Sequence, residues 1–191
     1  QDLKKAEAFW RETLKGFTAP TPLGVDRAPG NWYEQMVDTD EQQVKLSVSS
    51  TTALQSLAKQ HHLTLNTIVQ GAWALLLSRY SGEADVVFGS VVSGRPATLT
   101  GVESMVGLFI NALPIRVQVH SEEKRLSWLK NLQAQQVELR EYEYSPLRQV
   151  KGWSEVPRGL PLFETLVVFE NWLGDTTLQD GGQDLEVCQV S

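Results

Sequence analysis

Three histidines, one cysteine and a scatter of serines are the groups in this 191-residue chain that could act as bases, nucleophiles or metal ligands near neutral pH. The adjacent pair His61-His62 is the sharpest of them. A histidine can act as a general base or position an attacking group near neutral pH, but within His61-His62-Leu63-Thr64-Leu65-Asn66-Thr67 no carboxylate accompanies the pair. No catalytic residue is assigned. Thr64 suits a helix cap instead. His120 stands alone at a strand end, without cysteine or carboxylate in a ligand pattern, so no metal site is expected. No Gly-x-Ser-x-Gly occurs, and Gly89 and Gly94 flank Ser90 and Ser93 at the wrong spacing for a nucleophile elbow. The glycine pairs also lack the lysine of a phosphate cradle. Cys188 has no partner cysteine, which fits a small half-buried hydrophobe in a reducing compartment.

The elements that must position any site read as strands separated by helices. Leu3, Ala6, Trp10 and Leu14 recur at helical spacing up to Gly16, and Thr18 to Gly30, with three prolines, reads as an extended surface connector. Val44, Leu46 and Val48 alternate with polar residues as in a strand with one buried face, after which Thr51 or Thr52 caps a short helix through Leu54, Leu57 and Ala58. Leu65 to Tyr80 predicts a central helix capped by Thr64 and stopped by Ser81-Gly82, and Asp85 to Val92 an interior strand ended by Gly94-Arg95-Pro96. In the next strand Leu113, Ile115, Val117 and Val119 share one face, and Pro114 demands an edge, a bulge or a strand start. Ser121 is read as the cap of a helix whose stripe is Leu126, Leu129, Leu132 or Gln133, and Val137. Residues 141–161 read as loop, Leu162 to Glu170 as a strand, and 174–184 as a polar tail before a further strand start at Leu185, Val187 and Val190. The class is α/β, a mixed sheet covered by helices.

Composition narrows the partners. Hydrophobic residues at 41% and charged residues at 21% are globular usage, and a net charge of −6 without basic clustering argues against nucleic acid. The longest apolar run, Ala72 to Leu77, is too short for a membrane span, so a cytoplasmic protein without membrane contact is expected. Trp10 and Trp73 fall on helical core faces, whereas Trp153 and Trp172 lie in or beside loops; Glu170-Asn171-Trp172 follows a strand, where sheets hand polar groups to clefts.

Three stretches together resemble the condensation domains of nonribosomal peptide synthetases. Leu65-Asn66-Thr67 through Leu77, with Asp85-Val86-Val87-Phe88-Gly89 and Val92-Ser93-Gly94-Arg95-Pro96, resembles the family's central helix and following strand. Met105-Val106-Gly107-Leu108-Phe109-Ile110-Asn111-Ala112-Leu113-Pro114-Ile115-Arg116 is similar to the family's IGxFVNTLPLR element. Glu143-Tyr144-Ser145-Pro146-Leu147 stands where many members have HQDVPFE, without that motif's histidine and aspartate, and Gly159 to Glu164 stands for RxxNPLF. The resemblance implies a carboxy-terminal lobe over residues 1–191, truncated at both ends, with a chloramphenicol acetyltransferase-like fold. Its expected parts are an opening helix at 1–16, a connector at 17–31, a core at 32–173, and a polar loop with a strand start at 174–191.

It further implies an amino-terminal lobe that carries the HHxxxDG motif, a tunnel between the lobes, donor and acceptor peptidyl carrier proteins, and an adjacent adenylation domain. His61 to Thr67 resembles that motif only in spacing, a decoy, since Asn66 stands in place of its aspartate and Thr67 in place of its glycine. The lobe itself would bind no cofactor; the phosphopantetheine arms belong to the carriers. Asn111, Phe109, Ser93 and Trp172 are the expected tunnel residues, Asn111 foremost because its amide both donates and accepts. Arg95 and Arg116 are expected to fix loops or the lobe interface. Such a lobe alone should be inactive in peptide bond formation. The competing readings are a noncatalytic module that docks carriers or a tailoring enzyme, an epimerising relative, and a free-standing acyltransferase, which would need a histidine motif of its own.

Overall fold

The computed structural model describes residues 2–23, 40–95, 99–120 and 122–170. Trp172, Pro96, Ser121, Cys188 and the strand start at Leu185 lie outside the described residues. In chain order the elements are α1 (Leu3–Thr13), α2 (Val48–His61), α3 (Leu65–Ser81), β1 (Asp85–Val92), a 3₁₀ turn at Val102–Ser104, β2 (Asn111–Gln118), α4 (Arg125–Arg140), α5 (Leu147–Trp153) and β3 (Leu166–Val167). The sheet is mixed, in the order β2-β1-β3, with β2 antiparallel and β3 parallel to β1.

β1 is central because its sequence can be buried on both faces: Val86 to Ser90 are all buried. Its register places Val87 opposite Arg116 and Ser90 opposite Leu113, so these two pairs face opposite sides of the sheet. Arg116 reaches the carbonyls at the end of α1 on one side, and Ser90 meets Gln70 of α3 on the other. Helices therefore cover both faces. On the β3 side, the Val87 amide donates to Thr21 Oγ1 at 2.8 Å and the Gly89 amide to the Thr165 carbonyl at 2.8 Å. The connector expected to run over the surface thus buries Thr21 beside the central strand.

At the other edge, Trp128 Nε1 donates to the Gln118 carbonyl and Gln135 Nε2 to the Arg116 carbonyl, so these groups turn away from β1. Pro114 shares their parity, and its missing amide costs the ladder nothing. Of the three placements that Pro114 allowed, an edge, a bulge or a strand start, the edge is the one seen among the described residues.

Caps fix the helix ends. Asp2 accepts from the amides of Lys4 and Lys5, Ser47 from Ser50 and Thr64 from Thr67. Gly82 closes α3 in the left-handed region at φ +77°. Several expectations give way to packing, among them the cap at Thr51 or Thr52, which is Ser47 instead. Val44 and Leu46 form no strand: they pair with nothing among the described residues and are exposed, while Ser47 starts α2 immediately after them. Val137 faces solvent, because α4 is rotated to bury Trp128, Leu132 and Leu139. Residues 141–161 contain the short α5, and the strand expected over 162–170 pairs only at Leu166–Val167.

Between α3, α4 and β1 runs a buried polar chain. Gln70 Nε2 donates to Asn66 Oδ1 and Ser90 Oγ, both at 3.0 Å, and Gln70 Oε1 accepts from Gln136 Nε2 at 2.8 Å. Thr67 Oγ1 donates to Gln136 Oε1 at 3.0 Å, and Gln133 joins the Thr64 amide to the His62 carbonyl. Truncating Gln70 strands several of these groups away from water. Gln70→Ala should lower unfolding free energy by about 2–3 kcal/mol, read from the urea midpoint at constant slope. A loss below about 0.5 kcal/mol would show that water replaces the amide without penalty.

Candidate functional site

Three of the four expected tunnel residues, Ser93, Phe109 and Asn111, lie at the root of the loop that joins β1 to β2; Trp172 is outside the described residues. Val92 and Asn111 are register partners, so the two strands separate there and the chain between them leaves the sheet. Ser93 is exposed at the end of β1, and Phe109 is half-buried just before β2. Arg95 organises the space between them. Its guanidinium donates to the carbonyls of Val102 and Met105, the latter at 2.9 Å, and lies 4.2 Å over the centre of the Phe109 ring. The 3₁₀ turn is held by this one side chain at both ends.

Gly94 is required at the root. Its φ is +63°, and a Cβ built on it would lie 1.9 Å from the Phe109 carbonyl oxygen. Only a residue without a side chain admits that crossing.

Asn111 faces the turn between α4 and α5. Its Nδ2 donates to the Glu143 carbonyl at 2.9 Å and the Ser145 carbonyl at 2.8 Å, while Oδ1 accepts from the Ala112 amide at 2.9 Å. Both amide hydrogens are used inside the fold. The Glu143 side chain is half-buried. Burial pushes its carboxyl above the usual range; the Arg140 charge and the nearby Gly94 backbone pull the other way without cancelling the effect. Glu143 escaped notice in the sequence, where it read as a departure from a motif. A glutamate shortly before a proline, after a helix, was the available signal.

Arg116 lies at the far end of β2. Its Nε and Nη2 grip Asp85 at 2.6–3.1 Å, and Nη1 donates to the carbonyls of Thr13 and Lys15 at 3.0 and 2.7 Å. The Asp85 contact raises the guanidinium pKa further, so the charge persists. An open hollow of about 580 Å³ adjoins this end, between α1, β2 and α4, with Arg116, Gln118, His120, Trp128 and Gln135 among its walls. It shares none of the residues at the loop root.

The histidines are not gathered there. His62 ends α2 in the left-handed region at φ 56°, and its carbonyl accepts from Gln133; His120 is exposed beyond β2. Among the described residues no cluster of three His, Cys, Asp or Glu side chains could hold a metal ion. No described helix is long and apolar enough to cross a membrane. Trp73 donates to Thr165 Oγ1 at 3.2 Å, and Trp10 is wholly buried, as their helical faces required.

The sequence profile of the condensation-domain family matches residues 1–190. A linear gramicidin synthase polypeptide of Brevibacillus parabrevis is 59% identical over 171 residues, which are 90% of this chain and 3% of that protein. The chondramide synthase of Chondromyces crocatus is 45% identical over 192 residues, 100% of this chain and 5% of that protein. Among solved structures, the X-domain from teicoplanin biosynthesis superposes with a TM-score of 0.69 at 22% identity, over 87% of this chain and 37% of that one. The chain thus spans a few per cent of the relatives it matches and about a third of the structure.

Proposed function

Since the chain belongs to the condensation-domain family of nonribosomal peptide synthetases, we propose that it is the carboxy-terminal lobe of such a domain and forms one wall of its reaction tunnel. In the proposed reaction the amine of a carrier-bound acceptor attacks the carbonyl carbon of a donor thioester. The new C–N bond replaces the C–S bond, the donor carrier's phosphopantetheine leaves as a thiol, and the amine loses one proton. The described groups at the loop root hold geometry and offer no histidine base, so proton handling falls to the amino-terminal lobe. What this lobe supplies is alignment, which in reactions between tethered groups is worth several orders of magnitude in rate.

This reading rests above all on the root of the β1–β2 loop, where Ser93, Gly94, Phe109 and Asn111 meet under the Arg95 clamp. The apolar exposure of Val106, Leu108 and Ile110 on the same loop supports a surface that meets another part of the domain. Phosphopantetheine arms of donor and acceptor carrier proteins are the proposed visitors, an adenylation domain the proposed neighbour, and the cytoplasm the proposed location. Asn111 serves the tunnel wall as a post, Phe109 and Ser93 as lining.

In an intact domain, Asn111→Ala leaves the Glu143 and Ser145 carbonyls unpaired and should cost about 1–3 kcal/mol of stability. Asn111→Asp keeps the shape but turns a carboxylate on both carbonyls, and should cost at least as much. Dipeptidyl thioester formation, followed by mass spectrometry at a temperature where the variants remain folded, should fall with both. Full turnover by a folded Asn111→Ala domain would remove Asn111 from the tunnel wall. Carrier binding without product, in an intact and folded wild-type domain, would favour a noncatalytic docking module instead.

A further inference from the structure

The turn between α4 and α5 touches two elements at once. It closes on itself where the Ser145 amide donates to the Tyr142 carbonyl at 2.9 Å. The main-chain carbonyls of Glu143 and Ser145 face Asn111, which donates to both. The side chains of Tyr142 and Tyr144 face α1 instead. Tyr142 stacks on Phe9 with ring centres 4.1 Å and planes 15° apart, and Tyr144 Oη donates to the Asp2 carbonyl at 3.0 Å. That carbonyl also accepts from the Ala6 amide, so Tyr144 holds the first hydrogen-bonded turn of α1.

The other end of α1 is held by Arg116, whose Nη1 donates to the Thr13 and Lys15 carbonyls. Asp2 to Thr13 along a helix and Asn111 to Arg116 along a strand each span about 17 Å. One end of α1 thus registers with each end of that stretch of β2. With Arg116 fixing the far end, the two tyrosines decide the near one. We propose that Tyr142 and Tyr144 are positioning residues: they tether the α4–α5 turn to α1, and through the turn they set where Asn111 and the start of β2 stand for the condensation reaction. The functional half of this inference rests on the condensation reading above; the structural half does not.

The Ala112 amide reports the seat of Asn111. Ala112 shares the parity of Pro114, Arg116 and Gln118, whose backbone groups turn away from β1, and its amide donates to Asn111 Oδ1 at 2.9 Å. Its protection therefore depends on the Asn111 side chain and not on the ladder to β1. A residue that merely holds the fold together would lower global stability without singling out this amide. Nor would it slow a folded domain while leaving carrier binding alone. Alignment of tethered reactants acts on turnover, where a misplacement of about 1 Å can cost about 100-fold in rate.

The test uses the complete condensation domain with Tyr144→Phe, which removes one hydroxyl, Tyr142→Leu, which removes the stack, and Tyr142→Phe, which keeps it. Glu7→Gln, which breaks the exposed Glu7–Arg11 pair on α1, is the control. Hydrogen exchange at Ala112, read by NMR on protein labelled with nitrogen-15 alanine, should quicken about fivefold in Tyr144→Phe and about tenfold in Tyr142→Leu. It should keep the wild-type rate in Tyr142→Phe and Glu7→Gln. In dipeptidyl thioester formation, kcat should fall by at least the same factors while KM for the loaded carriers holds, and Tyr142→Phe should restore wild-type turnover. Unchanged Ala112 exchange in both Tyr144→Phe and Tyr142→Leu overturns the tether. Faster exchange with unchanged kcat overturns its role in the reaction. Should Tyr142→Leu fail to fold, Tyr144→Phe decides alone, since it leaves the packing in place. If the variants change Ala112 exchange as expected but wild type makes no product, the condensation reading fails and the tether stands.

Discussion

Gly94→Ala should cost about 3 kcal/mol or more and remove most condensation activity from an intact domain. A left-handed backbone at φ +63° disfavours any Cβ by about 1 kcal/mol. The larger part comes from contact, since the new methyl would sit 1.9 Å from the Phe109 carbonyl oxygen. Backbone cannot swing aside as a side-chain tip can, so either Phe109 or the Gly94 crossing must move. Either movement disturbs the seat of Phe109 under Arg95. Gly16→Ala is the matching control: φ is +75° there, but nothing lies within 4 Å of the added atom, so only the conformational cost of about 1 kcal/mol applies. Urea denaturation of the two variants separates the effects. Equal losses would mean that the loop yields freely and that Gly94 is there for its dihedral alone.

Asp85→Ala should be the next most damaging change, at about 2–4 kcal/mol, because it leaves Arg116 without its anion in a largely buried setting. The Arg116 side chain keeps 15% of its exposure and Asp85 35%, which places the pair below the full cost of a buried one. Arg116 also carries the last carbonyls of α1, so its loss detaches a helix from the sheet. Arg116→Lys preserves charge but not the fork, and should recover less than half of the deficit of Arg116→Ala. Full recovery by lysine would mean that the charge alone matters and that the directed hydrogen bonds of the fork do not. The double variant Asp85→Ala/Arg116→Met should be more stable than Asp85→Ala, since no buried charge is left unpaired.

The parts of the fold that sequence revealed are those where a local rule and the packing agree. Thr64 and Gly82 bound α3 because a cap and a left-handed glycine act within one turn. Asp85 to Val92 could be read as the interior strand because a run of valines bounded by turns has few other uses, and Pro114 limited its part of β2 to an edge, a bulge or a strand start. Val44 and Leu46 misled because period-two alternation says what a strand would bury but not whether a partner is there. Val137 misled because leucines and glutamines on α4 allow more than one stripe, and the choice was made by Trp128 reaching the Gln118 carbonyl. At the site, Asn111, Phe109, Ser93 and Arg95 could be named from the motif that surrounds them. Their joint geometry could not, because it depends on Glu143, 32 residues beyond Asn111. Nor could the sequence show that the Asn111 amide is spent on backbone carbonyls. Long-range hydrogen bonds of this kind leave no period or spacing behind.

If this chain is half of a tunnel whose other half carries the base, neither half should make a peptide bond without the other. The most direct measurement combines the purified chain with the rest of its condensation domain and two loaded carrier proteins, and follows dipeptidyl thioester by mass spectrometry. Product should form with both parts present and stay at background with this chain alone. Product from this chain alone, or carrier binding without product in a verified and folded complex, would contradict that division of labour.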